Sequence, residues 1–333
     1  MTGGLLLVLA AWLPSSATAD THLLVISGLG GEDEYSDRFH DWSMSLISSA
    51  AAAGLPAADI HYLAEDPERA PDAIDGTSRR DTIVEHLQGL RGRLGSEDEL
   101  WVTLFGHGSG RGDLAKLSLP GPDMDAADFA EVLEGFEVAR LVLVNTASAS
   151  GEFVEALSGP NRLIVTATRS ASEHHAPVFG GFFVAGFEGL GADTDKDERV
   201  SLLEAFSYAR QEVQRRFDSE QLLLTEHALL DDNGDQEGSL EPALAEDVDG
   251  LAASRAFLAP PVGIDPSQYG SPEVRGLARR KEGLEGRVAE LRAQREAMDE
   301  ETYLEELEAL LLELARASEA LRSANGEAAE EGA

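Results

Sequence analysis

We predict an α/β protein in which helices cover both faces of a mainly parallel β-sheet, with a C-terminal α-helical hairpin. Short and nearly continuous apolar runs alternate with segments of helical periodicity, as is typical of parallel strands that are buried on both faces. Beyond residue 272 the composition changes to Glu, Arg, Ala and Leu, with leucines at heptad and helical spacing. A chain of 333 residues is long enough for one large domain with an appendage.

The predicted sheet consists of five apolar runs, and helices connect them in right-handed crossovers. The first helix shows Phe39, Trp42, Leu46 and Ala50 at helical spacing. In such sheets, ligands bind beyond the carboxyl ends of the strands. The strands are predicted at 22–28, 60–63, 100–105, 140–145 and 162–168, and the helices at 35–53, 78–94 and 125–136.

Residues 1–19 are predicted to form a signal peptide. The run "LLLVLAAWL" is too short to span a bilayer, and "ATA" (17–19) has the small-x-small pattern of a cleavage site. The mature chain would begin at Asp20 and be secreted or periplasmic. The alternative is that this run is a buried first strand.

The mature chain divides into a domain at 20–259, a linker at 260–272 and a helical hairpin at 273–325, with a disordered tail at 326–333. The linker is rich in Pro, Gly and Ser, and leucines form a stripe along each arm of the hairpin. Two alternatives remain for the hairpin. It packs on its own domain, or it contacts a partner or a second copy of the chain.

The formal net charge of −36 restricts the partners. Such a balance disfavours nucleic acid and anionic lipid, and it favours cations. The chain has no cysteine, which excludes disulfides and thiol nucleophiles. No other run is long enough to span a membrane.

The acidic segment "DTDKDERVSLLE" (193–204) matches the ligand spacing of an EF-hand calcium loop. Its sixth position is Glu198, where the sharp turn prefers glycine. The alternative is a solvated acidic helix start, because carboxylates also favour the N-terminal end of the helix dipole. The segment "DDNGDQEG" (231–238) has no acid at its twelfth position and is predicted to be a turn. The predicted Ca²⁺ ligands are Asp193, Asp195, Asp197, Arg199 through its carbonyl, Ser201 and Glu204.

Several segments together resemble the legumain-like cysteine peptidases, which have a caspase-like fold. "FGHGSG" (105–110) is similar to their histidine motif, an apolar strand followed by His-Gly-Ser. "VNTASASG" (144–151) occupies the place of their Ala-Cys-x-Ser-Gly motif, and "TEHALLDDNGD" (225–235) is similar to the end of their last core strand. The resemblance covers about residues 22–240. It implies a caspase-like three-layer sandwich for this domain.

The family's roles fall by position on three residues of this chain. The resemblance implies that His107 is the acid/base and that the N–H of Gly108 helps to hold the oxyanion. Ser148 stands in place of the cysteine. A hydroxyl is a weaker nucleophile than a thiolate and needs a base oriented by a third group, which the sequence does not identify. Thr146 and Ser150 are alternative hydroxyls.

The specificity pocket of the family is matched only in part. Arg38 corresponds to the family's substrate-binding arginine if a short insertion is allowed, and Thr146 replaces an acidic residue. We therefore favour a degenerate peptidase that binds a peptide or protein. The alternatives are an active hydrolase using Ser148 and His107, and a structural scaffold that assembles through the hairpin.

Overall fold

The computed structural model describes residues 20–110, 115–197, 199–245 and 248–259, together with parts of the C-terminal region. The predicted signal peptide at 1–19 and the predicted linker at 260–272 lie outside the described residues. In the C-terminal region the described residues are 277, 280–281, 283–284, 286–288, 291, 295 and 298–331.

A seven-stranded sheet forms the centre of the domain, in the order β10-β9-β8-β4-β1-β2-β3. All neighbouring pairs are parallel except β10 with β9. The strands are β1 (Thr21–Ser27), β2 (Ile60–Ala64), β3 (Gly76–Thr77), β4 (Glu99–Phe105), β8 (Arg140–Asn145), β9 (Arg162–Thr166) and β10 (Leu229–Asp231).

Helices cover both faces of this sheet, because alternate strand residues point to opposite sides. Leu23 and Val25 belong to one apolar cluster, and Leu24 and Ile26 belong to the other. The first cluster packs under α1 (Asp33–Ala52), α5 (Phe179–Phe187) and α6 (Leu202–Ser219). The second packs under α2 (Arg80–Arg91), α3 (Ala126–Leu133) and α4 (Phe153–Leu157).

The predicted α/β class and the mainly parallel sheet with flanking helices are confirmed. The sequence did not predict a second, antiparallel sheet of three very short strands. They are β5 (Gly108–Gly110), β6 (Ala115–Leu117) and β7 (Met124–Asp125). Strands this short carry too few residues to show an alternating pattern. Within the described residues, no helix has the length and apolar character needed to cross a membrane.

The C-terminal helix runs from Glu300 to Glu331. Its buried residues Tyr303, Leu310 and Ala317 pack with Leu284 and Val288 of the preceding segment, so the described part of the hairpin buries a stripe of its own. Arg255 of the domain donates a hydrogen bond to the Gly286 carbonyl at 2.9 Å. The helix continues through 326–331, where a disordered tail was predicted. Alanine and glutamate are strong helix formers, and they extend the helix there.

Candidate functional site

A crevice is expected at the carboxyl ends of β1 and β4, where the strand order reverses. The loops after these strands lie in close contact. The Gly28 amide donates to the Phe105 carbonyl at 2.7 Å, and the Leu29 amide donates to the Ser118 carbonyl at 2.9 Å. A side chain on Gly28 would overlap the Ser118 carbonyl, so the small sheet packs tightly on this edge. His107 follows β4, and Ser148 follows the neighbouring strand β8.

The imidazole of His107 faces α1. Its ring contacts Tyr35 edge-on, with a centroid distance of 4.4 Å, and Phe39 with a centroid distance of 5.2 Å. Burial lowers the pKa of His107 below its ordinary value, and the nearby charge of Arg38 lowers it further. The Gly30 backbone and Glu32 act in the opposite direction. The structure therefore favours a neutral imidazole in an aromatic setting.

The hydroxyl of Ser148 is bonded to the backbone of Gly108. Its Oγ donates to the Gly108 carbonyl at 2.9 Å and accepts from the Gly108 N–H at 3.1 Å. No hydrogen bond joins Ser148 to the imidazole of His107. Ser148 is only 3% exposed. Ser148 therefore already occupies the Gly108 N–H, the group that the resemblance assigns to the oxyanion.

The two other hydroxyls after β8 are also buried and bonded. Thr146 donates to the Leu104 carbonyl at 2.9 Å, and Ser150 Oγ lies 3.1 Å from Thr168 Oγ1. Between them Ala149 adopts a left-handed conformation, with φ at 53°. Such a conformation costs about 1–2 kcal/mol for a residue with a Cβ atom, so the surrounding packing must hold this turn in place.

Arg38 lies on the exposed side of the crevice. Its guanidinium donates to Glu34 at 2.7 Å and lies over the Tyr35 ring, 4.9 Å from the centroid. The structure therefore brings Arg38 and His107 together around Tyr35. It does not bring Thr146 to them, because Thr146 is buried against the Leu104 carbonyl.

A buried glutamate that the sequence did not single out, Glu173, supports the Ser148 turn through its backbone carbonyl. The Glu173 carbonyl accepts from the Ala149 N–H at 2.9 Å. Its carboxylate binds His227 Nδ1 at 2.6 Å and Arg169 Nε at 3.2 Å. Fifty-four positions separate Glu173 from His227, so no local pattern could have indicated the pair. The neighbouring His174 and His175 are exposed, with ring centroids 4.8 Å apart.

The acidic loop before α6 brings three of its predicted ligands together. Carboxylate oxygens of Asp193, Asp195 and Asp197 all lie within 4.8 Å of one another. Burial raises the pKa of Asp197 to about 6, and the charges of Asp195 and Glu204 also raise it. Crowded carboxylates with a raised pKa fit a divalent cation, which would replace the proton.

Glu204 and Ser201 are engaged differently from the predicted ligand set. Glu204 Oε2 accepts from the Ser201 N–H and hydroxyl, and Oε1 accepts from the Thr194 N–H and hydroxyl. Ser201 also caps α6. The guanidinium of Arg199 lies over Phe257, 3.4 Å from the ring centroid. The three aspartates therefore fit a cation as they stand, whereas Glu204 would have to turn.

We expect millimolar Ca²⁺ to raise the melting temperature through this loop. Binding to the folded state alone contributes RT ln(1 + [L]/Kd), which is about 2.7 kcal/mol at a hundredfold excess over Kd. Affinity on the order of 10⁻⁴ to 10⁻³ M is expected without a glycine at position six. Thermal unfolding with Ca²⁺ and with chelator checks this. The double variant Asp195→Asn with Asp197→Asn should lose the shift. Equal melting temperatures for the wild type in both conditions would contradict it.

Solved structures that resemble the chain include drICE and caspase-1 from Spodoptera frugiperda. drICE has a TM-score of 0.37 at 10% identity, covering 60% of this chain and 84% of drICE. Caspase-1 from Spodoptera frugiperda has a TM-score of 0.39 at 10% identity, covering 64% of this chain and 86% of the caspase. At this identity the likeness concerns the fold alone. No protein-family model and no curated protein sequence matches the chain.

Proposed function

We propose that this protein is an exported, degenerate member of the legumain-like or caspase-like peptidases that binds a peptide or protein without cleaving it. The observation that carries the proposal is the pair of hydrogen bonds between Ser148 Oγ and the backbone of Gly108. Attack on a carbonyl requires a free nucleophile, a base in contact with it and a free oxyanion donor. Here the Ser148 hydroxyl is already bonded to the Gly108 carbonyl, it has no hydrogen bond to the His107 ring, and it occupies the Gly108 N–H.

The surroundings of His107 support binding rather than acid/base catalysis. Its ring packs against Tyr35 and Phe39, and within the described residues no carboxylate hydrogen bond orients it. The ring of His227, by contrast, is hydrogen-bonded to the Glu173 carboxylate. Three kinds of group lie near this site. Arg38 offers a cation, Tyr35 an aromatic face and the exposed side chain of Leu29 an apolar surface. These are groups that hold an extended peptide.

The proposal is tested by restoring the thiol with Ser148→Cys. Sulfur is larger than oxygen, and its thiolate does not need the same base. We expect Ser148→Cys to remain inactive on peptide substrates, because His107 is held by α1. Peptides should still bind to the wild type and shift the amide NMR signals of residues 28–38 and 107–108. Robust hydrolysis by Ser148→Cys would show that the remaining machinery is intact.

We also propose self-association through the C-terminal helix. One face of this helix packs on the preceding segment through its buried residues. Outside that face, three leucines are exposed: Leu304, Leu311 and Leu312. We expect Leu304→Glu with Leu311→Glu to shift the chain towards monomer in sedimentation equilibrium, while the fold is kept. Exposed apolar surface of this kind marks contact sites. An unchanged molecular mass, or a monomeric wild type, would contradict the proposal.

A further inference from the structure

A cavity of about 720 Å³ lies between α6 and the segment that leads into β10. This volume is in the range of small-molecule sites. The cavity lies at the same edge of the sheet as Ser148, because β10 is antiparallel and Leu229 pairs with Thr166 at the end of β9. Its lining includes Arg210 and Arg215 from α6, together with His227.

His227 lines this cavity, and Glu173 orients its ring. Glu173 accepts from the backbone N–H of His227 at 3.1 Å and from ring Nδ1 at 2.6 Å, so one hydrogen bond holds the backbone and one holds the ring. A carboxylate on Nδ1 keeps the proton on that nitrogen and leaves Nε2 as a hydrogen-bond acceptor. Within the described part of the chain, Nε2 has no hydrogen-bond partner.

Arg210 and Arg215 bring two positive charges to the cavity, although the whole chain carries −36. Arg210 makes one contact of 3.4 Å with Glu241, whose side chain is 85% exposed, and such a pair contributes little. Arg215 pairs with Glu212 of its own helix. Glu226 also lines the cavity, but its two oxygens accept the N–H groups of Val178 and Phe179 at the start of α5. A ligand carboxylate could therefore displace Glu241.

The rest of the lining combines apolar side chains with the polar residues Ser207, Gln211 and Gln214. Leu224 and Leu240 stand at the cavity beside the buried ring of Phe179. Apolar walls with a few convergent polar groups are typical of sites for compact organic ligands. We propose that this cavity binds a small carboxylate with an apolar body, whose charge lies against Arg210. An N–H of the ligand, where it has one, would donate to His227 Nε2.

The test uses N-acetyl-L-leucine and its neutral isostere N-acetyl-L-leucinamide, titrated calorimetrically into the full chain. We expect the amide to bind about tenfold more weakly or worse, since a hydrogen bond to a charged group contributes about 1.5–3 kcal/mol. Arg210→Gln should weaken binding of the acid by a similar factor. Arg216→Gln is the matched control, because Arg216 lies on the same helix, pairs with Glu220 and does not line the cavity. Binding to Arg216→Gln should stay close to that of the wild type.

Two further arms complete the test. His227→Gln should weaken binding of N-acetyl-L-leucine, because it removes the Nε2 acceptor for the ligand amide N–H, and thermal unfolding shows whether this variant keeps its fold. If it does not, Arg210→Gln decides alone, since it removes only the contact with exposed Glu241.

Hexanoate carries the charge without the peptide amide. Equal binding of hexanoate assigns the site to apolar carboxylates in general, and preference for N-acetyl-L-leucine assigns it to a peptide carboxyl end. Equal affinity for acid and amide, equal losses in Arg210→Gln and Arg216→Gln, or no binding to the wild type would overturn the proposal.

Discussion

Gly108→Ala is expected to destabilise the protein by about 3 kcal/mol, near the upper end of the usual cost of overpacking. A Cβ atom at this position would overlap the carbonyl oxygen of Ser148 and would lie 3.1 Å from the Lys116 carbonyl. Both obstacles are backbone atoms, which cannot move aside as a flexible side chain does. The substitution would also force apart the hydrogen bonds between Gly108 and the Ser148 hydroxyl.

Gly89→Ala is the matched control for this prediction. Gly89 lies inside α2, and a Cβ atom there would meet nothing within 4 Å. It should therefore stabilise the helix by about 0.5–1 kcal/mol. Urea unfolding of both variants gives the comparison. Similar stabilities for the two alanine variants would show that the β4 and β8 loops are not in the close contact described.

The second large effect concerns Glu226 and pH. Burial raises the pKa of Glu226 from its ordinary value of 4.5 to about 7, although the Val178 and Phe179 N–H groups act in the opposite direction. A raised carboxyl pKa means that the folded state binds the proton more tightly than the unfolded state. Its contribution to stability is therefore full below about pH 4.5 and is lost as pH rises through about 7. The loss amounts to about 3 kcal/mol.

Glu226→Gln isolates this effect, because glutamine keeps the shape and does not titrate. We expect the wild type to lose about 3 kcal/mol relative to the variant between pH 4.5 and pH 7.5. Unfolding free energies from denaturant melts across that range provide the measurement. Burial lowers the pKa of His61 to about 4, so the titration of His61 changes stability in the opposite direction. Because both proteins contain His61, its contribution cancels in the difference between the wild type and Glu226→Gln. Parallel pH profiles would exclude a buried, proton-binding Glu226.

The five longer strands of the sheet could be predicted from the sequence because they are apolar on both faces, whereas the short strands β3 and β10 were not predicted. The predicted strand 100–105 is observed at Glu99–Phe105, and 140–145 is observed at Arg140–Asn145. Burial on both faces produces continuous apolar runs whose ends are sharp. The neighbourhood of Arg38 and His107 is consistent with the chain order, since Arg38 lies on α1, which follows β1, and His107 follows the adjacent strand β4.

The environment of Ser148 could not be predicted in the same way. Whether its hydroxyl contacts an imidazole or a backbone group depends on how closely two loops approach, and that approach is set by Gly108. Thr146 gives no signal either, because a threonine after a strand suits a crevice as well as a buried bond to Leu104. The Glu173–His227 pair joins distant segments, and only the folded chain brings it together.

Binding without catalysis is tested by the hydrolysis of a diverse peptide library by the wild type and by Ser148→Ala. We expect the wild type to release no more product than Ser148→Ala. We also expect Ser148→Ala to be less stable, by about 1–3 kcal/mol, because the Gly108 N–H and carbonyl lose their partner. Cleavage by the wild type that disappears in both Ser148→Ala and His107→Ala would contradict the claim and identify an active serine hydrolase.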